Sequence, residues 1–341
     1  MTIQGFRDPG PGVRLHLNEN TGGCSPAVLE AIRALTAADI AAYPDYRGAV
    51  LACAAHLGVD PDSVLLTNGL DEGLLLSAVG RLGAVKAPGA EAIVPVPAFE
   101  PYFAAVNAVG ARAVRVPPLA DFRVPLEAVL ASVSPRTQLV FLNTPNNPTG
   151  QQIPREALRA VAEAAPHALV LVDEAYVEFG GGSFLEDLPR YPNVIVGRTF
   201  SKAYGLAGIR IGCLVGHPAT LAPIRAVTPV LNLNVVAVTA VQAALRDQAF
   251  LARYADAVRE SKRRLGAACE RLGLRHWPSA ANFVLVRAGD HAPDVVASLA
   301  ARGVHVRDRS RDPHTAGCIR ITAGMPAHTD AAIAALEAIF V

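Results

Sequence analysis

Between residues 63 and 215, short apolar runs rich in β-branched residues alternate with segments whose apolar positions recur every three or four residues. The runs predict strands over Val64–Thr67, Ala92–Val96, Ala113–Val116, Leu139–Asn143, Leu169–Asp173, Val194–Thr199 and Ile209–Val215. The segments between them predict helices over Asp71–Leu82, Pro101–Val109, Pro125–Ala131 and Pro154–Ala164. Several open with proline at the first turn, where a missing N–H does no harm. Alternation of this kind predicts an α/β fold with a mostly parallel sheet covered by helices on both faces.

After Pro229 the texture changes. A long helical stretch from Val235 to Leu272 precedes predicted strands Phe283–Arg287, Val304–Asp308 and Ile319–Thr322, with helices over Asp294–Arg302 and Ala327–Phe340. This reads as a smaller α+β unit. The chain is therefore expected to divide into an N-terminal arm and helix over residues 1–33 (the helix starting at Pro26), a large domain over 34–229 and a small C-terminal domain over 230–341.

Composition narrows the function classes. With 341 residues and 51% hydrophobic content, the chain can bury a large core. A net charge of +1 gives no global attraction to nucleic acid or to an anionic membrane. The five cysteines are scattered and odd in number, with no CxxC pair, which argues against a disulfide framework or structural zinc and suits a reducing cytosol. No apolar run reaches bilayer length uninterrupted, and Met1–Gly10 lacks an apolar signal core. A cytoplasmic protein without a nucleic-acid, membrane or metal partner is expected.

The candidate chemistry sits at the ends of the predicted strands. Only three lysines occur, Lys86, Lys202 and Lys262, and only Lys202 follows a strand, flanked by Thr199 and Ser201 with Arg210 eight residues on. A desolvated lysine beside a bound phosphate is what covalent capture of an aldehyde cofactor requires. Gly69-Leu70-Asp71-Glu72-Gly73 places a glycine at a helix start, where free N–H groups hold anions. It is not GxGxxG, so it carries no dinucleotide fingerprint. Asn146-Asn147-Pro148-Thr149-Gly150 ends a strand where open α/β sheets bind ligands, although its residues also suit a plain turn.

Asp173, at the end of Leu169–Asp173, needs a cation such as a pyridinium or must cap a helix. Tyr176 follows one turn later. Arg320 interrupts an apolar strand, and Arg307 lies in another; each forks towards a ligand anion or forms a structural ion pair. No histidine pair has metal-ligand spacing, and no GxSxG elbow occurs.

In this order the strings Leu17-Asn18-Glu19-Asn20, Tyr43-Pro44-Asp45, Gly69–Gly73, Asn146–Gly150, Asp173–Tyr176, Ser201-Lys202, Arg210 and Arg320 resemble the fold-type-I pyridoxal-phosphate enzymes of the aspartate aminotransferase superfamily, most of all histidinol-phosphate aminotransferases. The resemblance implies a seven-stranded large domain, pyridoxal 5'-phosphate as cofactor and a homodimer with shared active sites. It makes Lys202 the Schiff-base lysine and proton carrier, Asp173 the partner of the ring nitrogen, and Asn147 and Tyr176 the partners of the ring oxygen. Backbone N–H groups of Leu70 and Asp71, with Thr199, Ser201 and Arg210, would hold the cofactor phosphate. Phe99 would stack on the ring, and Tyr43 would reach the phosphate of the neighbouring subunit's cofactor. Arg320 and Arg307 would bind the substrate anion, with Asn20 also on the substrate side.

The resemblance departs at one place. Where the group continues Leu-Asn-Glu-Asn with proline and an aromatic residue, this chain has Thr21-Gly22-Gly23-Cys24. The implied activity is a transamination that moves an amino group from a donor such as glutamate to a phosphorylated keto compound in histidine biosynthesis. A decarboxylase of a phosphorylated amino acid such as threonine phosphate, and an aromatic-amino-acid aminotransferase, are the alternatives. A DNA-binding relative would need a helix-turn-helix module, for which there is no room before Leu17.

Overall fold

The computed structural model describes residues 9–83 and 89–340, so Lys86 lies outside the described residues. Its strands are β1 (Val13–Leu15), β2 (Val64–Thr67), β3 (Glu91–Pro95), β4 (Arg112–Val116), β5 (Thr137–Asn143), β6 (Leu169–Asp173), β7 (Val194–Thr199), β8 (Gly212–Gly216), β9 (Phe283–Arg287), β10 (Val304–Asp308) and β11 (Cys318–Thr322). The helices are α1 (Pro26–Arg33), α2 (Ala37–Ala41), α3 (Arg47–Leu57), α4 (Leu70–Leu82), α5 (Pro101–Ala108), α6 (Leu126–Ala131), α7 (Arg155–Ala164), α8 (Pro218–Arg225), α9 (Val235–Arg246), α10 (Gln248–Arg271), α11 (Ala292–Ala301) and α12 (Pro326–Phe340).

Seven strands form the large sheet in the order β2-β8-β7-β6-β5-β3-β4. All pairings are parallel except those of β8, which runs antiparallel to both β2 and β7. Every residue of β2, β3, β6 and β8 is buried, as continuous apolar runs covered on both faces require. The antiparallel turn positions the chemistry: the β7–β8 connection starts and ends at the same edge, where β5 and β6 also finish. The carboxyl ends of three neighbouring strands and the segment from Phe200 to Ile211 thus meet in one place.

A second sheet has the order β1-β10-β11-β9, with β1 parallel to β10 and β11 antiparallel to both its neighbours. Its core includes Leu15, Leu265, Val286, Leu299, Ile319 and Leu336. The packing does not divide where the sequence texture changes at 229/230. Leu15 from the arm belongs to the small core, whereas Val238, Val241, Tyr254 and Val258 belong to the large one. The reason is that α9 lies against α1 and α3, and α10 carries the chain from one core to the other.

Three local expectations differ from the fold. The helical stretch from Val235 to Leu272 is two helices bent by 78°, because Asp247 leaves helical geometry and caps α10 by accepting a bond from Phe250 N at 3.0 Å. Strand β8 begins at Gly212 rather than Ile209, since Arg210 has φ 59°, a left-handed backbone that ends an extended run. Strand β1 and helices α2 and α3 were not anticipated. Three residues carry too little periodicity to read as a strand, and α2 rests on a capping box between Thr36 and Asp39 rather than on an apolar stripe. Among the described residues no single helix is long and apolar enough to cross a membrane.

Candidate active site

A cavity of about 640 Å³ lies where the carboxyl ends of β5, β6 and β7 face β10 and β11. It is lined by Leu70, Asp71, Phe99, Asn147, Asp173, Tyr176, Thr199, Ser201, Lys202, Arg210, Arg307 and Arg320, all expected from the sequence. Residues that the sequence did not single out also line it, among them Asn18, Glu19, Glu100, Asn143 and Arg309.

Ladder register fixes the first group. Asn143 on β5 pairs with Asp173 on β6, and Thr199 on β7 pairs with Gly212 on β8. Asp173 is only 2% exposed. Its carboxylate accepts from Tyr102 Oη at 2.6 Å and from Ala175 N at 3.0 Å, both neutral donors. With no cation paired to it among the described residues, burial pushes the Asp173 carboxyl up to about 6. The bond from Ala175 spans two residues, so Asp173 caps its own turn while its other oxygen faces Tyr102.

Lys202 is partly buried, and its Nζ donates to the Leu17 carbonyl at 3.0 Å. Burial, reinforced by the Arg320 guanidinium, lowers its ammonium to about 8. Such an amine is far more often neutral, and so nucleophilic, than an exposed lysine. By contrast Lys262 lies on α10 and donates to Ser279 O, away from the cavity.

Around the start of α4, neighbouring groups leave little room for an added side chain at either glycine. A Cβ on Gly69 would stand 2.5 Å from Arg210 Nη2, and one on Gly212 would stand 2.8 Å from Leu70 N. Gly69 precedes the helix with φ 75° and supplies no side-chain cap, so the first N–H groups of α4 remain available to an anion. Arg210 closes the other side through Asp71 at 2.8 Å. Glycines, free helix N–H groups, two hydroxyls and a guanidinium form a phosphate cradle. The donors elsewhere suit a pyridine ring: an unpaired carboxylate for a ring nitrogen, and Asn147 beside Tyr176 (Nδ2 to Oη, 3.4 Å) for a ring oxygen. The residues present fit pyridoxal phosphate.

The opposite wall comes from the small sheet and the N-terminal arm. Arg320 is 6% exposed and has no carboxylate partner among the described residues. Its guanidinium donates instead to Asn147 Oδ1 and to the His16 carbonyl at 2.8 Å, and burial depresses it to about 10. The structural ion-pair reading of Arg320 therefore fails. Arg307, exposed on β10, stands directly across the ladder from Arg320.

Asn18, with φ 58°, donates from Nδ2 to Tyr176 Oη at 3.0 Å and exchanges bonds with Thr322 on β11. A left-handed asparagine within Leu-Asn-Glu-Asn was the one signal that could have found it.

Two expected residues lie elsewhere. Asn20 does not line this cavity: its amide donates to Ala203 O at 2.8 Å and accepts from Gly22 N at 2.8 Å, so both its ends hold the turn. Tyr43 is 82% exposed on the surface and is not brought to this chain's cavity. The unusual Thr21-Gly22-Gly23-Cys24 also stays outside it. Thr21 Oγ1 accepts from Met325 N at 2.7 Å, and Gly23 O lies against Gly205, where a Cβ would clash at 2.1 Å.

A sequence profile for aminotransferase class I and II matches residues 11–337. A histidinol-phosphate aminotransferase 2 of Ralstonia nicotianae is 41% identical over 337 residues, covering 95% of this chain and 88% of that protein. The histidinol-phosphate aminotransferase of Symbiobacterium thermophilum is 39% identical, covering 96% and 90%. Among solved structures, that of histidinol-phosphate aminotransferase from Sinorhizobium meliloti in complex with pyridoxal-5'-phosphate superposes with TM-score 0.88 at 35% identity, covering 97% of this chain and 91% of the other. Aspartate aminotransferase from Thermus thermophilus with maleate has TM-score 0.82 at 24% identity, which establishes the shared fold.

Proposed function

Because the chain belongs to the class I and II aminotransferases, which are pyridoxal-phosphate-dependent transaminases, we propose that it is a histidinol-phosphate:2-oxoglutarate aminotransferase of histidine biosynthesis. The observation that carries this reading is a pair of guanidiniums, Arg320 and Arg307, facing the cavity without a carboxylate partner among the described residues. A phosphate has enough oxygens for both, and a glutamate α-carboxylate needs only the buried fork of Arg320. The relatives described above are named histidinol-phosphate aminotransferases, which agrees with that substrate.

When bound, pyridoxal phosphate supplies the electron sink for ionising the substrate Cα–H bond. Lys202 Nζ attaches the cofactor and moves the Cα proton, a role its lowered pKa suits. Asp173, oriented by the Tyr102 hydroxyl, holds a proton on the ring nitrogen. Asn147 and Tyr176 would hold the ring oxygen, and Phe99, whose ring lies 5.9 Å from that of Tyr102, would supply the stacking face. Leu70 and Asp71 N–H groups, Thr199, Ser201 and Arg210 bind the phosphate. We read the chain as an arm, a large cofactor-binding domain and a small domain, with α9 and the first part of α10 packed on the large core and the arm's Leu15 on the small one.

We read the protein as a cytoplasmic homodimer, and two features support the dimer. Ile40 (59% exposed) lies in α2 and Tyr43 (82%) just beyond it, while Val230 (88%) and Leu231 (49%) lie in the segment before α9. The Tyr46 hydroxyl ties the two segments together by bonding both N and O of Leu233. This apolar, outward face is where a second copy would dock and where Tyr43 would enter the partner's site.

The test is to add L-glutamate and then imidazole-acetol phosphate to cofactor-loaded protein while following the near-visible spectrum, and in parallel to add threonine phosphate while trapping carbon dioxide. Loss of the aldehyde band with glutamate and its return with imidazole-acetol phosphate, with no carbon dioxide from threonine phosphate, is expected. Release of carbon dioxide from a phosphorylated amino acid would replace this reading with the decarboxylase.

A further inference from the structure

Among the described residues six cationic side chains line the cavity: Arg14, Lys202, Arg210, Arg307, Arg309 and Arg320. Arg14 is paired with Glu19 at 3.0 Å, Arg210 with Asp71 at 2.8 Å and Arg309 with Glu100 at 2.5 Å. The third pair differs from the others in how its two halves meet water. The Arg309 side chain is 6% exposed and its Glu100 partner 59%, whereas the partners in the other two pairs are comparably exposed. Arg309 Nε, moreover, is buried with no acceptor, and its remaining carboxylate, Asp312, stands at 3.5 Å. An exposed carboxylate returns to water at little cost, but a buried guanidinium left alone is strongly disfavoured. Any anion that displaces Glu100 must therefore replace it.

Glu100 follows Phe99 and heads α5, while Arg309 lies two residues beyond Arg307, so both arginines reach the cavity and the groove outside it. We propose that Arg309 and Glu100 form a displaceable counter-ion pair that sets how much negative charge the substrate pocket accepts. A dianionic phosphoryl group displaces Glu100 and takes Arg309 as its third guanidinium. A lone carboxylate, satisfied by Arg320, leaves the pair closed. Arg309 is thus a specificity-determining residue, and Glu100 acts through it. This inference rests on the cavity being the substrate site.

The test titrates cofactor-loaded protein with inorganic phosphate near pH 8, where it is chiefly a dianion, and in parallel with acetate, by calorimetry. Glu100→Gln should bind phosphate about tenfold more tightly and Arg309→Gln about tenfold more weakly, the scale of one charge-assisted hydrogen bond. Acetate affinity should stay within about threefold in both variants. The melting temperature of Glu100→Gln should fall in plain buffer and recover with phosphate more than that of the parent. Glu100→Asp keeps the charge with a shorter reach; it should tighten phosphate by a smaller factor and covers the case in which Glu100→Gln does not fold. Phosphate affinity unchanged in both Glu100 variants, or phosphate and acetate tightened equally, would overturn the proposal. The titration needs no turnover, so failure to transaminate histidinol phosphate with these shifts present would count against the proposed substrate and not against the pair.

Discussion

The two walls of the cavity handle charge in opposite ways. On the wall built from β5, β6, β7 and the start of α4, Arg210 finds Asp71, and the buried Asp173 is held only by neutral donors. On the wall built from β10, β11 and the arm, guanidiniums outnumber their carboxylates, and Arg320 rests on an amide and a carbonyl. The first wall awaits one fixed cationic ring and one phosphate. The second awaits anions that come and go. A permanently bound group can complete buried charges for good, whereas an exchanging substrate needs cations that tolerate an interval without a partner.

The largest effect should come from removing the residue that joins the walls. Lys202→Ala should lower transamination by several orders of magnitude, since nucleophile and proton carrier are lost together. Borohydride treatment of parent protein, followed by peptide mapping, should fix the cofactor at this residue. A stable adduct at Lys262 in the variant would break the assignment.

Next in size, Asp173→Asn should retain cofactor yet slow Cα deprotonation by about a hundredfold or more, the scale of a general acid–base contribution. Single-turnover kinetics with glutamate measures it. Near-parent rates would reduce Asp173 to the cap of its own turn.

The substrate wall should respond unequally. Arg320→Ala should weaken both half-reactions, while Arg307→Ala should lower kcat/KM for the phosphorylated substrate about tenfold to a hundredfold and leave glutamate nearly unchanged. Equal losses for both substrates in Arg307→Ala would make that residue structural and erase the contrast between the walls.

These predictions rest on parts of the molecule that were unequally legible. The cofactor wall is written in contiguous strings, because a strand end and the turn after it deliver neighbours in sequence to one site. Asn147, Asp173 and Lys202 each follow an apolar run that marks a buried strand, and their positions are as the alternation predicted. The substrate wall joins residues about three hundred positions apart, as in the bonds of Asn18 with Thr322 and of Arg320 with His16. No local pattern shows such pairs. Asn20 was favoured over Asn18 because both lie in one motif, and only the backbone turn decides which amide faces inward. Tyr102 was read as a helix residue, which it is; its hydroxyl bond to Asp173 depends on tertiary packing. Glu100 and Arg309 carry no sequence signal, since the contact that matters joins residues 209 positions apart.

The smallest predicted effect is a titration. The Lys202 amine is lowered to about 8, so its neutral fraction grows as pH rises through 8 instead of 10.5. Labelling of Lys202 in cofactor-free protein by an amine-directed reagent should follow that midpoint. A midpoint near 10.5 would mean that the cavity does not desolvate the amine.

The proposed function requires the second wall to bind a phosphorylated substrate. The most direct measurement is kcat/KM of the unaltered enzyme for histidinol phosphate against histidinol, with 2-oxoglutarate as acceptor. A preference of about a hundredfold or more for the phosphate ester is expected, the scale of two charge-assisted contacts. Comparable values for the two compounds, or faster turnover of an aromatic amino acid than of either, would contradict it.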